Sequence, residues 1–215
     1  MMNFFEERKS ICNTATRMLA QGLVVGTWGN ISLRLNNSNI LITPSALNYE
    51  KMEASDLMLI DLEGKVIEGK HRPSSEMPLH LAIYKARKDV CAIVHTHSTY
   101  ATALAVARVP LPPIVEDLVQ AVGGGVEVAL YGYPGSTELA VNCTESLNDK
   151  NAVLLANHGV VGVGKSLEEA YNVCQVVEKA AHIFLLARTA REPYILDQNT
   201  VSLLHRAFLK YKNGE

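Results

Sequence analysis

Apolar and polar positions alternate along this chain with two different periods. A spacing of three to four residues predicts helices at residues 4–22, 74–87, 99–107, 136–147, 167–188 and 201–211. Short apolar or alternating runs predict strands at residues 31–35, 40–42, 57–60, 66–67, 90–97, 126–131 and 152–156. Asn36 and Asn37 predict the turn of a hairpin between the first two strands. Helices and strands therefore interleave through most of the chain.

This interleaving indicates the α/β class. No glycine fingerprint of a dinucleotide-binding crossover follows a predicted strand, so we expect a mixed central sheet flanked by helices. No internal repeat, low-complexity tract or linker divides the sequence. We therefore predict a single domain over residues 1–215, a length that suits one core.

Histidines stand at the ends of two predicted strands. His95 and His97 close the apolar run 90–94, and His158 follows the apolar run 152–156. Side chains two apart on a strand point to the same face, so His95 and His97 leave their strand together, as neighbouring metal ligands must. Three imidazoles with an open fourth position are typical of a catalytic zinc site. The remaining histidines, interpreted as ordinary loop or helix residues, are His71, His80, His182 and His205.

Composition argues against several other classes of function. The chain has 48% hydrophobic residues and a formal net charge of −2, so it offers no basic field for nucleic acid or an anionic membrane. We find no secretory signal and no uninterrupted apolar run of about 18 residues. The four cysteines are scattered without a C-x-x-C pair, which does not favour a thiolate metal site. We expect a cytoplasmic protein with neither a nucleic-acid nor a membrane partner.

Two loop segments have features that suit an anion. Ser74 and Ser75 stand at a predicted helix start, where free backbone N–H groups and the helix dipole favour negative charge. Simple capping by Ser75 is the alternative. The loop that ends in Gly29 and Asn30 lets backbone approach a ligand and supplies an amide, although it is also an ordinary turn. Glu76 has three candidate roles: metal ligand, general base, or a first-turn carboxylate favoured by the helix dipole.

Five motifs occur in an order that resembles one known family. They are G-x-x-G-N-I-S at residues 26–32, I-T-P-S at 42–45, P-S-S-E-M-P-L-H at 73–80, H-T-H-S at 95–98 and N-H-G at 157–159. Together they are similar to the class II aldolase family over most of the chain. The resemblance implies the class II aldolase/adducin-like fold with a mostly antiparallel sheet. It also implies a homotetramer whose active sites lie between subunits.

The resemblance further implies roles for individual residues. His95, His97 and His158 match the zinc ligands of the family, and Glu76 matches the acidic residue that binds the metal in the resting site or acts as base. The segments that cradle the substrate phosphate match Gly29, Asn30, Ser45, Ala46, Ser74 and Ser75. Ala46 departs from the glycine that is often found there. Zinc is the implied cofactor, with manganese and cobalt as other divalent candidates.

One position departs from the aldolase pattern. Some family aldolases use a tyrosine of a neighbouring subunit to protonate the oxygen of the leaving aldehyde, and this chain has Asp117 there, preceded by Glu116. An acidic residue at that place is reminiscent of epimerase and dehydratase relatives, and solvated charges at a helix start are the alternative. Tyr211 is a candidate for the family's tail tyrosine that closes over the site, or an ordinary tyrosine of an amphipathic helix.

The activity that the resemblance implies is that of a zinc-dependent aldolase. It would cleave a ketose 1-phosphate, such as L-fuculose 1-phosphate or a deoxy- or methylthio-pentulose phosphate, to dihydroxyacetone phosphate and an aldehyde. Zinc would stabilise the enediolate as a Lewis acid, and Glu76 would move the proton at the carbon next to the carbonyl.

Three rival functions remain open at the level of sequence. A sugar-phosphate dehydratase, decarboxylase or 4-epimerase of the same fold is the first. A non-catalytic adducin-like interaction domain is the second, although adducin-like heads lack the zinc histidines that this chain keeps. A zinc hydrolase is the third, although the chain has no H-E-x-x-H helix.

Overall fold

The structure is a computed structural model that describes residues 4–35 and 39–213, except for the side chains of residues 211–213. The described helices are α1 (Phe5–Ala20), α2 (Met77–Ala86), α3 (Thr99–Ala107), α4 (Glu116–Val122), α5 (Thr137–Leu147), α6 (Leu167–Ala190) and α7 (Gln198–Asn213). The described strands are β1 (Asn30–Arg34), β2 (Ile40–Ile42), β3 (Met58–Ile60), β4 (Val66–Glu68), β5 (Ala92–Thr96), β6 (Val128–Ala129), β7 (Ala152–Leu155) and β8 (Gly159–Gly164). One turn of 3-10 helix, Ala54–Asp56, precedes β3.

The described strands join one sheet in the order β4-β3-β2-β1-β5-β8-β7-β6. Every neighbouring pair is antiparallel except β6 and β7, which are parallel. The predicted α/β class and the mixed, mostly antiparallel sheet are therefore confirmed. Among the helices of the described residues, none is both long and apolar enough to cross a membrane.

Helices cover both faces of the sheet. On one face α2 and α5 pack against each other and against the apolar side chains of the strands. On the other face α1, α3 and α6 do the same. Successive residues of β5 alternate between the two cores, since Ile93 lies in the first and Val94 in the second. Burial on both faces explains why β5 and β7 are continuous apolar runs in the sequence.

Strand β8 is the main element that the hydrophobic pattern did not predict. Its glycines, at positions 159, 162 and 164, remove the side chains from which a strand is recognised. The fold requires one of them for close packing: a Cβ at Gly162 would lie 2.7 Å from Sγ of Cys174 and 2.8 Å from the carbonyl oxygen of Ala170. Helix α6 therefore passes so close to β8 at this point that position 162 has no room for a side chain.

One other strand prediction needed correction at its ends, and one turn prediction is not tested. The strand predicted at 126–131 is reduced to β6 because Val126 pairs instead with Leu111 in an isolated bridge, and Leu130 and Tyr131 are exposed. The predicted turn at residues 36–37 lies outside the described residues, although β1 and β2 do pair antiparallel as the hairpin requires.

The prediction that Ser75 caps α2 was wrong. Glu76 occupies the N-cap position, no side chain caps the helix, and Ser75 is exposed. The reason is a preceding turn, in which the Ser74 hydroxyl accepts the Glu76 N–H at 3.2 Å and the Ser74 carbonyl accepts the Met77 N–H at 3.0 Å. The helix cannot begin until this turn is complete.

Candidate metal centre and active site

Three strand ends meet at one end of β5 and bring the histidines together. β1 and β8 run antiparallel to β5 on its two sides, so the start of each lies beside the end of β5. His158 lies in the turn between β7 and β8, in which its N–H donates to the Leu155 carbonyl at 3.0 Å. His95 Nε2 consequently lies 2.9 Å from His97 Nε2 and 3.3 Å from His158 Nε2. The structure confirms that the three predicted ligands form one cluster.

The three imidazole rings are arranged as a tripod. Their centroids are 4.8 to 4.9 Å apart, and each pair of rings is inclined by 69° to 78°. Nδ1 of His95 donates to the Val160 carbonyl at 3.0 Å, because a carbonyl oxygen can only accept. Nε2 of His95 is therefore the nitrogen that faces the other two rings. A hydrogen bond that fixes the far nitrogen of a ligand histidine is usual in metal sites.

The donor set fits a divalent metal ion. Three ring nitrogens that crowd together repel one another through their lone pairs unless a positive centre lies among them, either a proton or a cation. Burial disfavours the imidazolium form and lowers the pKa of His97 to about 3 and that of His158 to about 4. Neutral imidazoles are the form that binds zinc and similar metals.

Glu76 places its carboxylate against the same cluster. Oε2 lies 3.0 Å from His95 Nε2 and accepts from Asn30 Nδ2 at 3.1 Å, while Oε1 lies 3.2 Å from His158 Nε2. Burial alone raises the pKa of this carboxyl, but the His95 ring and the Asn30 amide against Oε2 outweigh it and hold the pKa below its usual range. Glu76 is therefore ionised, as a metal ligand or a general base must be.

A cleft of about 470 Å³ opens above the cluster. Glu76, His97 and His158 lie in its wall. The residues predicted to bind phosphate line the same cleft, and they are Gly29, Asn30, Ser45, Ala46, Ser74 and Ser75. The structure thus brings both predicted sets of residues into one cavity of the size that a small ligand requires.

Two backbone positions in the site have features that favour glycine. At Gly159, a Cβ would lie 2.2 Å from the Thr96 carbonyl oxygen and 3.0 Å from Cδ2 of His97, so a side chain there would collide with the cluster. Ala46 has a φ of 56°, in the left-handed region that favours glycine, which agrees with the glycine that the family often has at this place.

Glu116 and Asp117 do not line the cleft of their own chain. Both lie in the first turn of α4, where Glu116 is exposed and Asp117 forms an ion pair with Lys179. A catalytic role for either residue would require a neighbouring subunit, so it stays a prediction. Tyr211 belongs to α7, but its side chain is outside the described residues.

Several residues of the site escaped the sequence reasoning. Trp28 is 67% exposed at the cleft, with its ring 6.1 Å from that of His97, and Asn157 and Pro134 also line the cavity. His80, interpreted as ordinary, is fully buried and contacts the Asn30 amide. The only sequence signal for His80 was its place in the motif at 73–80, because its contacts come from residues about 50 positions away.

The fold and the cluster together define an α/β protein with a histidine metal site at the end of a central strand. The family described as Class II Aldolase and Adducin N-terminal domain matches residues 9–185. The chain belongs to this family, and within it the chain is a class II aldolase, a carbon–carbon lyase.

The relatives are similar along almost their whole length. A 5-deoxy-D-ribulose 1-phosphate aldolase of Bacillus thuringiensis serovar kurstaki is 36% identical over 96% of this chain and 97% of its own length. An L-fuculose phosphate aldolase of Escherichia coli O6:H1 is 35% identical over 92% of each chain. A solved structure of an L-fuculose 1-phosphate aldolase superposes with a TM-score of 0.94 and 35% identity over 97% of this chain and 98% of its own. A 3-oxo-tetronate 4-phosphate decarboxylase of Haemophilus influenzae is 34% identical over 86% of this chain and 90% of its own.

Removal of one imidazole tests the metal cluster. We expect His97→Ala to weaken zinc binding by more than the ~10- to 100-fold that loss of an outer hydrogen-bond partner causes, because a ligand itself is lost. The measurement is zinc per chain by mass spectrometry after dialysis against a weak chelator. His182→Ala is the matched control, since that ring stacks on Tyr100 at 3.8 Å outside the cluster. Equal zinc content in the His97→Ala and unmodified proteins would contradict the ligand assignment.

Proposed function

We propose that this chain, as one catalytic domain over residues 1–215, cleaves a ketose 1-phosphate to dihydroxyacetone phosphate and an aldehyde. The observation that carries the proposal is the position of the Glu76 carboxylate, which faces three imidazoles at the base of a cleft lined by two serine-containing loops. This cleavage needs a metal site, a carboxylate that acts as base, and loops that bind the substrate phosphate.

His95, His97 and His158 are the residues that would hold the metal, with Glu76 as a further ligand before substrate binds. We propose zinc, with manganese or cobalt as substitutes, because three imidazoles with an open position suit zinc chemistry. A bound divalent ion supplies Lewis acidity toward the oxygens of the sugar.

The substrate phosphate is assigned to the far side of the cleft. The backbone N–H groups of Ser45 and Ser74 already donate to the carbonyls of Arg72 and Thr43. We therefore expect the phosphate to accept from serine hydroxyls, from the backbone N–H groups of Ala46 and Ser75, and from the side-chain amide of Asn30, all at the cleft. Gly29 allows this loop to pack closely against β5 at the edge of the cleft, since a Cβ there would lie 2.9 Å from the His95 carbonyl oxygen.

Glu76 is assigned as the base at the carbon next to the carbonyl. Its carboxylate is ionised, 5% exposed and directed into the cleft, so it can take a proton from that carbon and return it. The low exposure limits competition from water. The Asn30 donor bonded to Oε2 leaves Oε1 without a hydrogen-bond donor, and we assign the proton transfer to Oε1.

The acid that protonates the leaving oxygen is assigned to a neighbouring subunit of a homotetramer. Asp117 is a candidate because it stands where the family resemblance places a tyrosine, and Glu116 precedes it. Both lie outside the cleft of their own chain, and Tyr211 is the candidate from the tail. The exposed apolar side chains of Trp28, Tyr133 and Leu130 support an assembly that covers this end of the sheet.

The relatives' names support the choice of substrate. Aldolases of L-fuculose phosphate and of 5-deoxyribulose 1-phosphate are similar to this chain over nearly all of its length, so we propose one of these ketose 1-phosphates or a methylthio analogue. A sugar-phosphate decarboxylase is the second candidate. It is favoured by the similar 3-oxo-tetronate 4-phosphate decarboxylase of Haemophilus influenzae.

Release of dihydroxyacetone phosphate tests the reaction itself. We expect zinc-loaded protein to release it from L-fuculose 1-phosphate or 5-deoxyribulose 1-phosphate, the chelator-stripped protein to be inactive, and added zinc to restore the rate, because the sugar oxygens need a Lewis acid. A coupled assay with glycerol-3-phosphate dehydrogenase measures the product. If metal-loaded protein releases none from either sugar but liberates carbon dioxide from a 3-oxo-tetronate 4-phosphate, the second candidate replaces the first.

Glu76→Gln tests the base. The amide keeps the size of the side chain but cannot accept a proton from carbon, so we expect kcat to fall by about 10²- to 10⁴-fold with the fold intact. The control is Glu145→Gln, at an exposed position of α5, which should retain the full rate. Turnover of the Glu76→Gln protein within a small factor of the unmodified rate would show that another group is the base.

A further inference from the structure

A chain of buried hydrogen bonds runs from the interior of the protein to Glu76. Tyr84 Oη lies 2.8 Å from Ser32 Oγ, which lies 2.6 Å from His80 Nδ1. His80 Nε2 lies 2.5 Å from Asn30 Oδ1, and Asn30 Nδ2 lies 3.1 Å from Glu76 Oε2. These side chains are 0% to 5% exposed. Bulk solvent therefore does not compete for these hydrogen bonds.

This series of hydrogen bonds joins one face of β1 to one side of α2. Asn30 and Ser32 are two apart on β1 and share a face of the sheet. Glu76, His80 and Tyr84 are four apart along α2 and form one stripe of that helix. The strand and the helix contribute alternate members, so the hydrogen bonds cross between them at each step.

The Asn30 amide sets the direction of the two bonds nearest to Glu76. Its Nδ2 donates to Oε2 of Glu76, and its Oδ1 faces Nε2 of His80. An amide oxygen only accepts, so His80 must carry its proton on Nε2.

The proton positions in the remaining hydrogen bonds follow from the neutral state of His80. Burial disfavours the imidazolium and lowers the pKa of His80 to about 3. Nδ1 is therefore bare, and it accepts the Ser32 hydroxyl proton at 2.6 Å. Ser32 Oγ in turn accepts from the Tyr84 hydroxyl. With His80 neutral and protonated on Nε2, each donor in this series points towards Glu76.

We propose that His80 is a positioning residue: its Nε2–H fixes the side-chain amide of Asn30, and the amide fixes the carboxylate of Glu76 for proton transfer. The kinetic part of this inference rests on the proposed role of Glu76 as base. The structural part, that Asn30 and Glu76 are held by His80, does not.

The consequence of losing the His80 donor follows from the chemistry of an amide. Without a donor at Oδ1, the buried amide oxygen of Asn30 has no partner, and the amide loses the bond that fixes its rotation. The amide then shifts to find another donor, its bond to Oε2 of Glu76 weakens, and the carboxylate is no longer held beside His95. Asn30 also lines the cleft, so the same amide joins the base to the proposed phosphate site.

Two substitutions of His80 separate the effect of its hydrogen bonds from the effect of its size. His80→Phe keeps a ring but has no donor, and His80→Gln keeps a donor for Asn30 and an acceptor for Ser32. The measurement is exchange of the proton of dihydroxyacetone phosphate with solvent deuterium in zinc-loaded protein, with rates per bound zinc. We expect His80→Phe to lower the maximal exchange rate by about 10- to 100-fold with a KM changed far less. His80→Gln should stay within about threefold, because the hydrogen bond is kept.

Two further variants test whether the effect depends on the hydrogen bonds of His80. Ser32→Ala removes only the hydroxyl that donates to Nδ1 of His80, so it should fold where His80→Phe fails, and we expect a loss between those of the two His80 variants. His182→Phe, whose ring stacks on Tyr100, is the control that changes a helical histidine elsewhere and should retain the full rate. Full exchange rates in both His80→Phe and Ser32→Ala would overturn the inference.

Crystal structures of the zinc-loaded His80→Phe, Ser32→Ala and His80→Gln proteins give a readout that does not depend on activity. We expect Glu76 or Asn30 to be displaced in His80→Phe, or in Ser32→Ala if His80→Phe does not fold, and to be unmoved in His80→Gln. An unmoved Glu76 and Asn30 in the variants without the His80 or Ser32 donor would overturn the inference. If the unmodified protein exchanges no proton, the proposed base role fails, and the crystal structures alone decide whether His80 holds Glu76.

Discussion

The active site depends on the antiparallel pairing of β8 with β5. This ladder sets Thr96 opposite Val160, so the turn before β8 brings His158 beside the end of the strand that carries His95 and His97. The same ladder lets the Val160 carbonyl accept from Nδ1 of His95, which orients the ring. The close approach requires Gly159, because any side chain there would collide with the strand opposite and with the ring of His97. A single backbone register thus determines the position of all three ligands.

The second requirement is that a buried carboxylate be held in place without being neutralised. Glu76 stands at the start of α2 and receives a hydrogen bond from Asn30 at the start of β1. Those two elements are joined further inside by Ser32, His80 and Tyr84, so the orientation of the carboxylate is linked to the packing of helix on strand. Buried polar groups are generally stable only when they have hydrogen-bond partners. Here the bond from Asn30 goes to Oε2 of Glu76 and leaves Oε1 without a hydrogen-bond donor.

The sequence predicted the parts of the site that obey a local periodicity. The period of a strand places His95 and His97 on one face, and apolar runs marked β5 and β7 as buried. The role of His80 was not predictable in this way, since Asn30 and Ser32 reach it from another element. Strand β8 was not predicted because the glycines that permit its close packing also interrupt the alternation of apolar side chains. Asp117 has no contact with the cleft of its own chain, so a periodicity within one chain cannot assign it a role.

The central claim is that three imidazole nitrogens converge on one metal ion. X-ray absorption at the zinc edge of zinc-loaded protein tests it most directly, because it counts the ligands of the ion itself. The structure predicts a first shell of nitrogen and oxygen at about 2.0–2.2 Å with the outer scattering of three imidazoles. A sulfur shell at about 2.3 Å, or a shell with fewer than three imidazoles, would contradict it.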